Sequence, residues 1–497
     1  MQAVRRSPAF APAKGRQRGQ ALIFGLFVLI SGLAALFFFF NVGQLSREKT
    51  KLVNTADAVA YSAGVVHARA LNFNAYSNRA LIANEVLIAQ MVSLSSWSNY
   101  VDSWATNLPS VHPLCVQAAG GNYYAGAASL TSFGPDYLIG CVALLYAEQY
   151  GVLQPVTSAA RAGAALGVGA AEAQKRIISG AQNLINAGLR VDRALVMNAV
   201  TDANYAGDGR VSVDLFSATL ADDWQGIGGN GPFVRQYADN ERTRFREVTL
   251  AAANTDPFIA ERSWTSQAVL PDVGCLSVFS LAFDEVRRRG GTELLGFDEW
   301  QAVDTQSYHD RFRRKLRCRE RETPTGIGEQ EAFRQGANQS PGAASFGRSR
   351  ADNSAAHNQA ISGASGTGMG YTGLPNYYDL NQIWLRNRPN DEPKLLHGVR
   401  LTRSATNLRT TDGTTGQIRT RSDSRIGAYD TAVAGGEMAA VSTSEVHFER
   451  PATQADNIFG AATNRPRELG SLFNPYWQVR LASSNAVGEW LRQGVSP

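Results

Sequence analysis

The hydrophobic pattern of the chain begins with one long apolar run. Residues 19–46 include no charged side chain, and most of them are aliphatic or aromatic. About twenty such residues cross the hydrocarbon core of a bilayer as a helix. We therefore predict a transmembrane helix over residues 19–43. The side chains expected to contact lipid are Ala21, Leu22, Ile23, Phe24, Leu26, Phe27, Leu29, Leu36, Phe37 and Phe40.

Basic residues flank this run unevenly. Five basic residues and no acidic one precede it, whereas three basic residues and one acidic one follow within residues 47–51. Because cytoplasmic flanks carry the excess of Lys and Arg, residues 1–18 are predicted to be a cytoplasmic tail and the bulk to lie outside. A cleaved signal peptide is the alternative, but the run exceeds the usual apolar length and no clear cleavage motif follows Phe40. No second run of this length occurs, so the prediction is single-pass.

Beyond the membrane run, apolar residues recur every seven positions. The large members of this seam are Leu45, Leu52, Val59, Val66, Phe73, Leu87, Leu94 and Val101, with Ala80 at the remaining position. The positions four residues later are mostly small, and no proline occurs before Pro109. Such a heptad predicts a long helix that a neighbouring helix can approach closely.

A second helical segment follows in the same chain. Residues 136–204 are rich in Ala, with aliphatic residues at three- and four-residue steps, and Pro155 is expected to break or kink the segment. We predict that the two segments form an antiparallel helical hairpin, a stalk over residues 44–204. A parallel coiled coil between chains is the alternative, and the small-residue line favours packing within one chain.

From about residue 205 the pattern changes to shorter mixed segments. Alternation predicts strands at residues 395–402, 417–421 and 438–448, and an amphipathic helix closes the chain from residue 477. Residues 323–376, rich in Gly, Ser and Asn, are predicted to be a flexible loop or insertion. The predicted fold class is α+β, with a transmembrane helix, a hairpin stalk and a distal mixed α/β head over residues 205–497.

Composition and charge sharpen the topology. Of 497 residues, 44% are hydrophobic and 18% are charged, the latter below the roughly 25% typical of soluble domains. The 48 basic and 43 acidic residues leave a net charge of +5, which the first 18 residues alone supply. The basicity therefore marks the cytoplasmic side and does not indicate nucleic-acid binding.

Residues 311–321 hold seven basic side chains and could be read as an anion-binding site. The basic residues alternate with Phe312, Leu316 and Cys318, however, which is the period of a strand with one solvated face. We predict a strand.

Four cysteines lie on the side predicted to be outside, where disulfides form readily. Four cysteines allow three pairings, and we predict the nearest-neighbour one, Cys115 with Cys141 and Cys275 with Cys318. Four unpaired buried thiols are the alternative.

Letter motifs for enzymes and cofactors fail in their context. Gly226, Gly228 and Gly231 have dinucleotide-fingerprint spacing, but Pro232 follows at once and no buried strand precedes them. Residues 202–208 resemble the start of a calcium loop without its closing Glu. The six histidines lack metal-ligand spacing, and the adjacent Asp222 and Asp223 are interpreted as surface charge. We predict no enzyme activity, no cofactor, no metal and no small-molecule substrate.

The N-terminal third resembles a known family. The sequence Arg-Gly-Gln-Ala-Leu at residues 18–22, the single span, and Asn-Thr-Ala-Asp-Ala-Val-Ala at residues 54–60 are similar to the TadE/TadG-like proteins of the bacterial tight-adherence (Flp) pilus system. The resemblance implies an inner-membrane protein with a periplasmic bulk whose partners are other pilus-assembly or secretion components. Pilins of such systems are cut after a Gly and carry a Glu five residues later. Here Gly19 would place Phe24 at that position, which favours an uncut accessory protein.

The sequence thus predicts a non-enzymatic, membrane-anchored structural or assembly component of a Flp-type pilus or related secretion apparatus. An envelope-anchored adhesin or ligand-binding protein is the alternative.

Overall fold

The computed structural model describes residues 20–111, 151–214, 222–226, 231–267, 284–314, 317–336, 348–363, 368–382, 393–404, 407, 437–450 and 470–482. These residues form an α+β fold in which a long apolar N-terminal helix is followed by a β-rich C-terminal region. The predicted strand at residues 417–421 lies outside the described residues.

Two long helices dominate the N-terminal part. The helices are α1 (Gln20–Val111), α2 (Leu153–Asn204), α3 (Thr243–Ala253), α4 (Ser349–Asp352) and α5 (Ser354–Ser362), with a 3₁₀ turn at Asp239–Arg242. The 92 residues of α1 form one uninterrupted helix, which at 1.5 Å per residue is about 140 Å long. Pro155 lies in the first turn of α2, where the missing N–H costs nothing, so the helix that begins at Leu153 continues through this proline without a break.

Three antiparallel sheets follow. The strands are β1 (Ser212–Asp214), β2 (Val234–Tyr237), β3 (Trp264–Gln267), β4 (Glu285–Leu295), β5 (Glu299–Arg314), β6 (Arg317–Phe333), β7 (Tyr377–Leu380), β8 (Lys394–Ser404), β9 (Glu437–Phe448) and β10 (Trp477–Leu481). One sheet has the order β1-β8-β9-β10, a second pairs β2 with β7, and the third has the order β3-β4-β5-β6.

The helices α1 and α2 run antiparallel and share a core. Leu52 and Val59 near the membrane end of α1 cluster with Met197, whereas Ile88 farther along clusters with Val168. Each of the three core clusters also contains residues of the strands or of the loops between them. The division into a stalk and a head stays a prediction, and the shared clusters count against it.

Strands β5 and β6 lie directly against α1. A Cβ added at Gly328 would lie 2.7 Å from the backbone nitrogen of Tyr100, and one at Gly326 would lie 2.5 Å from the Tyr100 ring. Glycine at these two strand positions therefore lets the helix approach the sheet at backbone distance.

Two sequence predictions about the C-terminal half are wrong. The predicted flexible segment 323–376 contains the end of β6 as well as α4 and α5, and its residues 337–347 and 364–367 lie outside the described residues. Ala332, Tyr371 and Leu374 of this segment pack into the core, which offsets the cost of ordering the polar residues near them. Residues 477–481 of the predicted closing helix form β10, because they pair with β9 while Trp477 packs among aromatic rings; residues 483–497 lie outside the described residues.

Candidate functional site: the anchor helix and its buried ion pairs

The N-terminal part of α1 is the most exposed apolar surface in the described residues. Large side chains from Leu22 to Val42 face outward, with Leu22 77% exposed. This stretch is long and apolar enough to cross a membrane, and none of its most apolar window is buried in the protein. The predicted anchor residues all lie on it, so the anchor prediction fits the structure, with its orientation still a prediction.

The predicted seam does not form a single buried line. Leu52, Val59 and Val101 are buried, whereas the other five large seam residues, Leu45, Val66, Phe73, Leu87 and Leu94, are half-buried. Between residues 52 and 105, α1 is buried around most of its circumference, because α2 covers one side and the sheets cover others.

A first ionic joint lies where α1 leaves the proposed membrane region. The carboxylate of Glu48 accepts a hydrogen bond from Arg403 of β8 at 2.6 Å, and both side chains are buried. Lys51 pairs with Asp208, which follows α2, and Lys51 and Arg403 both lie over the ring of Tyr205. The body of the protein therefore contacts α1 only five residues beyond residue 43, which is about 8 Å along the helix axis.

A second joint buries an arginine with two histidines. Arg193 of α2 donates two hydrogen bonds to Asp222, at 2.8 and 3.0 Å, and further ones to His67 Nε2 and His397 Nδ1. The ring of His67 stacks on Trp224. Because a guanidinium only donates, both histidine nitrogens that face Arg193 must accept, which requires neutral rings.

The protonation of these histidines is correspondingly unfavourable. Burial, reinforced by Arg193, lowers the pKa of His397 to about 3. Burial, with His397 and Arg193, lowers the pKa of His67 well below its usual value. Since the unfolded histidines titrate near 6.5, the unfolded state takes up protons first as the pH falls.

We expect acid to destabilise the protein through this joint. Stability is retained above about pH 6.5 and lost as the pH falls toward 3; at pH 5 His397 alone costs about 2 kcal/mol. Changing His67→Gln and His397→Asn keeps an acceptor toward Arg193 without a titrating ring. Chemical unfolding from pH 4 to 8 should show a shallower decline for this variant, and an unchanged decline would contradict the assignment.

A third joint places a lysine between two glutamates in the core. Lys175 of α2 contacts Glu85 of α1 at 2.5 Å and Glu172 at 2.7 Å, and all three are 5% exposed or less. Trp300 Nε1 and the Tyr371 hydroxyl both donate to Glu85, so the carboxylate is fully surrounded. Burial and the nearby Glu85 raise the pKa of Tyr371 well above its usual value, which keeps its hydroxyl a donor.

A fourth joint ties α1 to the β3-β4-β5-β6 sheet. Asp304 of β5 is wholly buried and receives hydrogen bonds from Arg262, from Arg288 and from Ser96 of α1, all at 2.8 to 3.0 Å. The Arg288 guanidinium also lies 3.7 Å from the centre of the Tyr100 ring. Residues of two strands, a loop and α1 thus converge on one carboxylate.

The chemistry of these joints is that of structural contacts. In the part of the chain that the structure describes, no group of three or more acidic, His or Cys side chains could hold a metal. In each joint the central charged group lies next to a group of opposite charge and forms several hydrogen bonds. Removing one partner from such an arrangement leaves a buried charge uncompensated, which is strongly destabilising. The four joints fix α1 to α2 and to the two four-stranded sheets.

The sequence did not predict these joints, and the interpretation of one acidic pair that contributes to them was wrong. Asp222 and Asp223, interpreted as surface charge, are each 6% exposed: Asp222 pairs with Arg193, and Asp223 accepts the backbone N–H of Leu396. The prediction is wrong because an isolated bridge between Asp222 and His397 draws the pair into the fold. The usable signal was the spacing of polar residues such as His67, Asn74 and Glu85 inside an otherwise apolar helix.

The basic stretch at residues 311–321 contains the end of β5 and the start of β6, so two paired strands stand where one was predicted. Its arginines pair with acids, as in Arg311 with Glu320 and Arg321 with Asp310. Cys318 on β6 is disulfide-bonded, and the other three cysteines lie outside the described residues. The pairing with Cys275 stays a prediction.

The exposed apolar run and the first buried turns after it occupy one continuous segment of α1. Residues 19–70 match the family described as putative Flp pilus-assembly TadE/G-like. This confirms the resemblance drawn from the entry motif and the residues after the span. The comparisons with curated proteins and with solved structures found no match.

The TadE/G-like segment has a definite place in the fold. It contains the exposed apolar run, Glu48 of the first joint, His67 of the second and the part of the Met197 core cluster from Leu52 to Ala63. At Gly64 the side chains of Ser444 and Val479 press against the helix, so β9 and β10 contact the same segment. The match suggests involvement in Flp pilus assembly.

Proposed function

We propose that this protein is a single-pass, non-enzymatic structural component of a Flp-type pilus or related secretion apparatus. Its N-terminus lies in the cytoplasm and its bulk in the periplasm, where it contacts other assembly components. The observation that carries the proposal is the uninterrupted α1, which joins an exposed apolar anchor to a core gripped by four buried ionic joints. Because the helix is continuous, a force on its membrane-spanning part, or a displacement of that part, is transmitted directly to the folded body.

The contacts favour a body that begins close to the bilayer. Glu48 and Lys51 are already engaged by β8 and by the end of α2, and Lys49 donates to the backbone of Ala439. A bare stalk that holds a head far from the membrane would leave this part of α1 without strand contacts. We therefore propose a rigid body seated at the membrane surface.

Membrane anchoring is tested by charge in the apolar run. Changing Leu29 and Ile30 to Arg should move the chain from the membrane to the soluble fraction and abolish piliation in a complemented deletion strain, since each central Arg costs about 2.5–3.5 kcal/mol of insertion. The control changes Tyr61 and Trp97, exposed residues farther along α1, to Arg and should leave fractionation unchanged. Normal piliation in the deletion strain itself would overturn the proposal.

Processing distinguishes an accessory protein from a pilin. Because Phe24 stands where pilin precursors carry the acid, we expect co-expression with a prepilin peptidase to leave the intact mass unchanged. A genuine pilin precursor serves as the positive control in the same cells. Loss of residues 1–19 would show that the chain is processed like a pilin.

A second function has one observation in its favour. A polar cleft of about 350 Å³ lies between α2 and the loop before β7, with Arg176, Asn183, Gln236 and Arg334 among its lining residues. Such a cleft suits an envelope-anchored adhesin or ligand-binding protein. Glycan-array or matrix binding by the full chain, abolished by Arg176→Ala with Asn183→Ala, would favour this function.

A further inference from the structure

The outer face of α2 carries an apolar stripe that no described residue covers. Its large members are Leu166, Ile177, Leu184, Val191 and Leu195, each between 62% and 76% exposed, and we call them the outer stripe. They lie opposite the buried face of α2 that carries Lys175, Leu189 and Arg193. Single exposed apolar residues are ordinary, but an aligned series of this length marks an interaction surface.

The spacing of the outer stripe is that of a helix-packing seam. Ile177, Leu184 and Val191 are seven residues apart, and an exposed small residue, Ala173, Gly180 or Ala187, lies four residues before each of them. A heptad of alternating large and small residues allows a second helix to pack closely along α2. No charged residue lies on the seam between residues 166 and 195.

A groove beside the outer stripe continues this surface onto α1. It has a volume of about 500 Å³ and is lined by Val66 and Phe73 of α1 and by Leu195 and Val196 of α2. Leu195 belongs to both features, so the stripe and the groove form one apolar face of the helix pair. Arg69 lies at the rim on α1 and Asp192 on α2, and both are exposed.

These features indicate one particular binding partner. We propose that the outer stripe and the groove bind a second copy of this chain, as a two-fold dimer whose two α1–α2 pairs pack as four helices. In a two-fold interface the same patch meets itself, so Arg69 of each copy can face Asp192 of the other. Opposite charges at the rim of an otherwise apolar patch are the complementarity that such self-pairing needs.

Geometry and area agree with a second copy. Two chains anchored in one membrane, as proposed above, share one orientation, so their α2 helices meet in parallel, an arrangement that a heptad seam allows. From residue 166 to residue 195 α2 rises about 44 Å, and a contact about 10 Å wide buries roughly 440 Å² per copy. A total of about 900 Å² is typical of a weak interface, and confinement to one membrane raises the effective concentration that supports it.

The first test measures assembly of the full chain in detergent or nanodiscs by light scattering and mass photometry. Wild type should be dimeric at micromolar concentration, and Leu184→Glu should raise the dissociation constant at least 30-fold while leaving the unfolding midpoint unchanged. Ala165→Glu, an exposed change on the same helix away from the seam, should leave the dimer intact. A monomeric wild type overturns the proposal.

The second test uses charge reversal and cross-linking. Arg69→Glu and Asp192→Arg should each weaken the dimer about 10-fold, and the double variant should restore it; failure to restore it overturns the two-fold arrangement. In cells, Ala173→Cys should form an intermolecular disulfide, whereas the matched Ala165→Cys should not. Equal cross-linking of the two, or a monomer in which Ala173→Cys resists maleimide because residues 112–150 cover the stripe, also overturns the proposal.

These tests do not depend on pilus assembly. A strain that piliates without this protein would refute the proposed function and leave the dimer measurements untouched. A monomeric chain that is required for piliation would refute the dimer alone.

Discussion

Changing Lys175 to Met is expected to lower the free energy of unfolding by about 3–5 kcal/mol. Lys175 lies between Glu85 and Glu172, and its removal leaves two buried carboxylates without their shared cation. Their mutual repulsion and lost solvation must then be met by protonation or by local opening of the α1–α2 contact. Denaturant unfolding of the full chain in detergent, followed by tryptophan fluorescence, measures the loss.

Two matched variants show whether the loss comes from the uncompensated charges. Arg176→Met changes the adjacent exposed cation and should stay within about 0.5 kcal/mol of wild type. The triple variant Glu85→Gln, Glu172→Gln and Lys175→Met removes all three charges and should recover much of the lost stability. If the triple variant is no more stable than Lys175→Met alone, the charge explanation is wrong.

The exposed apolar helix and the main helical elements could be predicted because their signals are local. The charge-free run, the absence of proline and the heptad spacing all lie within α1 itself. The strands β8 and β9 were predicted from their alternation, which follows from one buried face in an antiparallel sheet. The resemblance to the TadE/TadG-like family likewise depended on contiguous residues.

What escaped prediction depends on contacts distant in sequence. The seam prediction assumed that α1 packs against one other helix. In the structure, polar side chains between the seam residues also form hydrogen bonds to distant parts of the β-rich region. Asn78, for example, donates to the backbone oxygens of Tyr378 and Leu472, about 300 and 390 residues away. From sequence alone, an Asn in a helix is expected to lie at the surface. Its buried position can be explained only when the distant backbone carbonyl groups that accept its hydrogen bonds are known. The buried Asp222 and the ordered residues of segment 323–376 were missed for the same reason.

Changing Gly328 to Ala is expected to lower the free energy of unfolding by about 3 kcal/mol, a large effect for one methyl group. The added Cβ would overlap the carbonyl oxygen of Ser96 and lie 2.7 Å from the backbone nitrogen of Tyr100. Both atoms belong to the main chain of α1, which cannot rotate away as a side chain can. The helix must therefore move off β6, which also loosens the hydrogen bond from Ser96 to Asp304.

Alanine substitutions at two other glycines provide a comparison for the loss of stability expected at Gly328. At Gly326 the new methyl meets only the Tyr100 ring, which can shift at the expense of its hydrogen bond to Gln306, so Gly326→Ala should cost less than Gly328→Ala. Gly169 lies inside α2 with open space around it, and Gly169→Ala should stabilise the chain by up to about 1 kcal/mol. Unfolding free energies in any other order would contradict the close contact between α1 and β6. That contact ties the helix that carries the exposed apolar run to the core of the folded body.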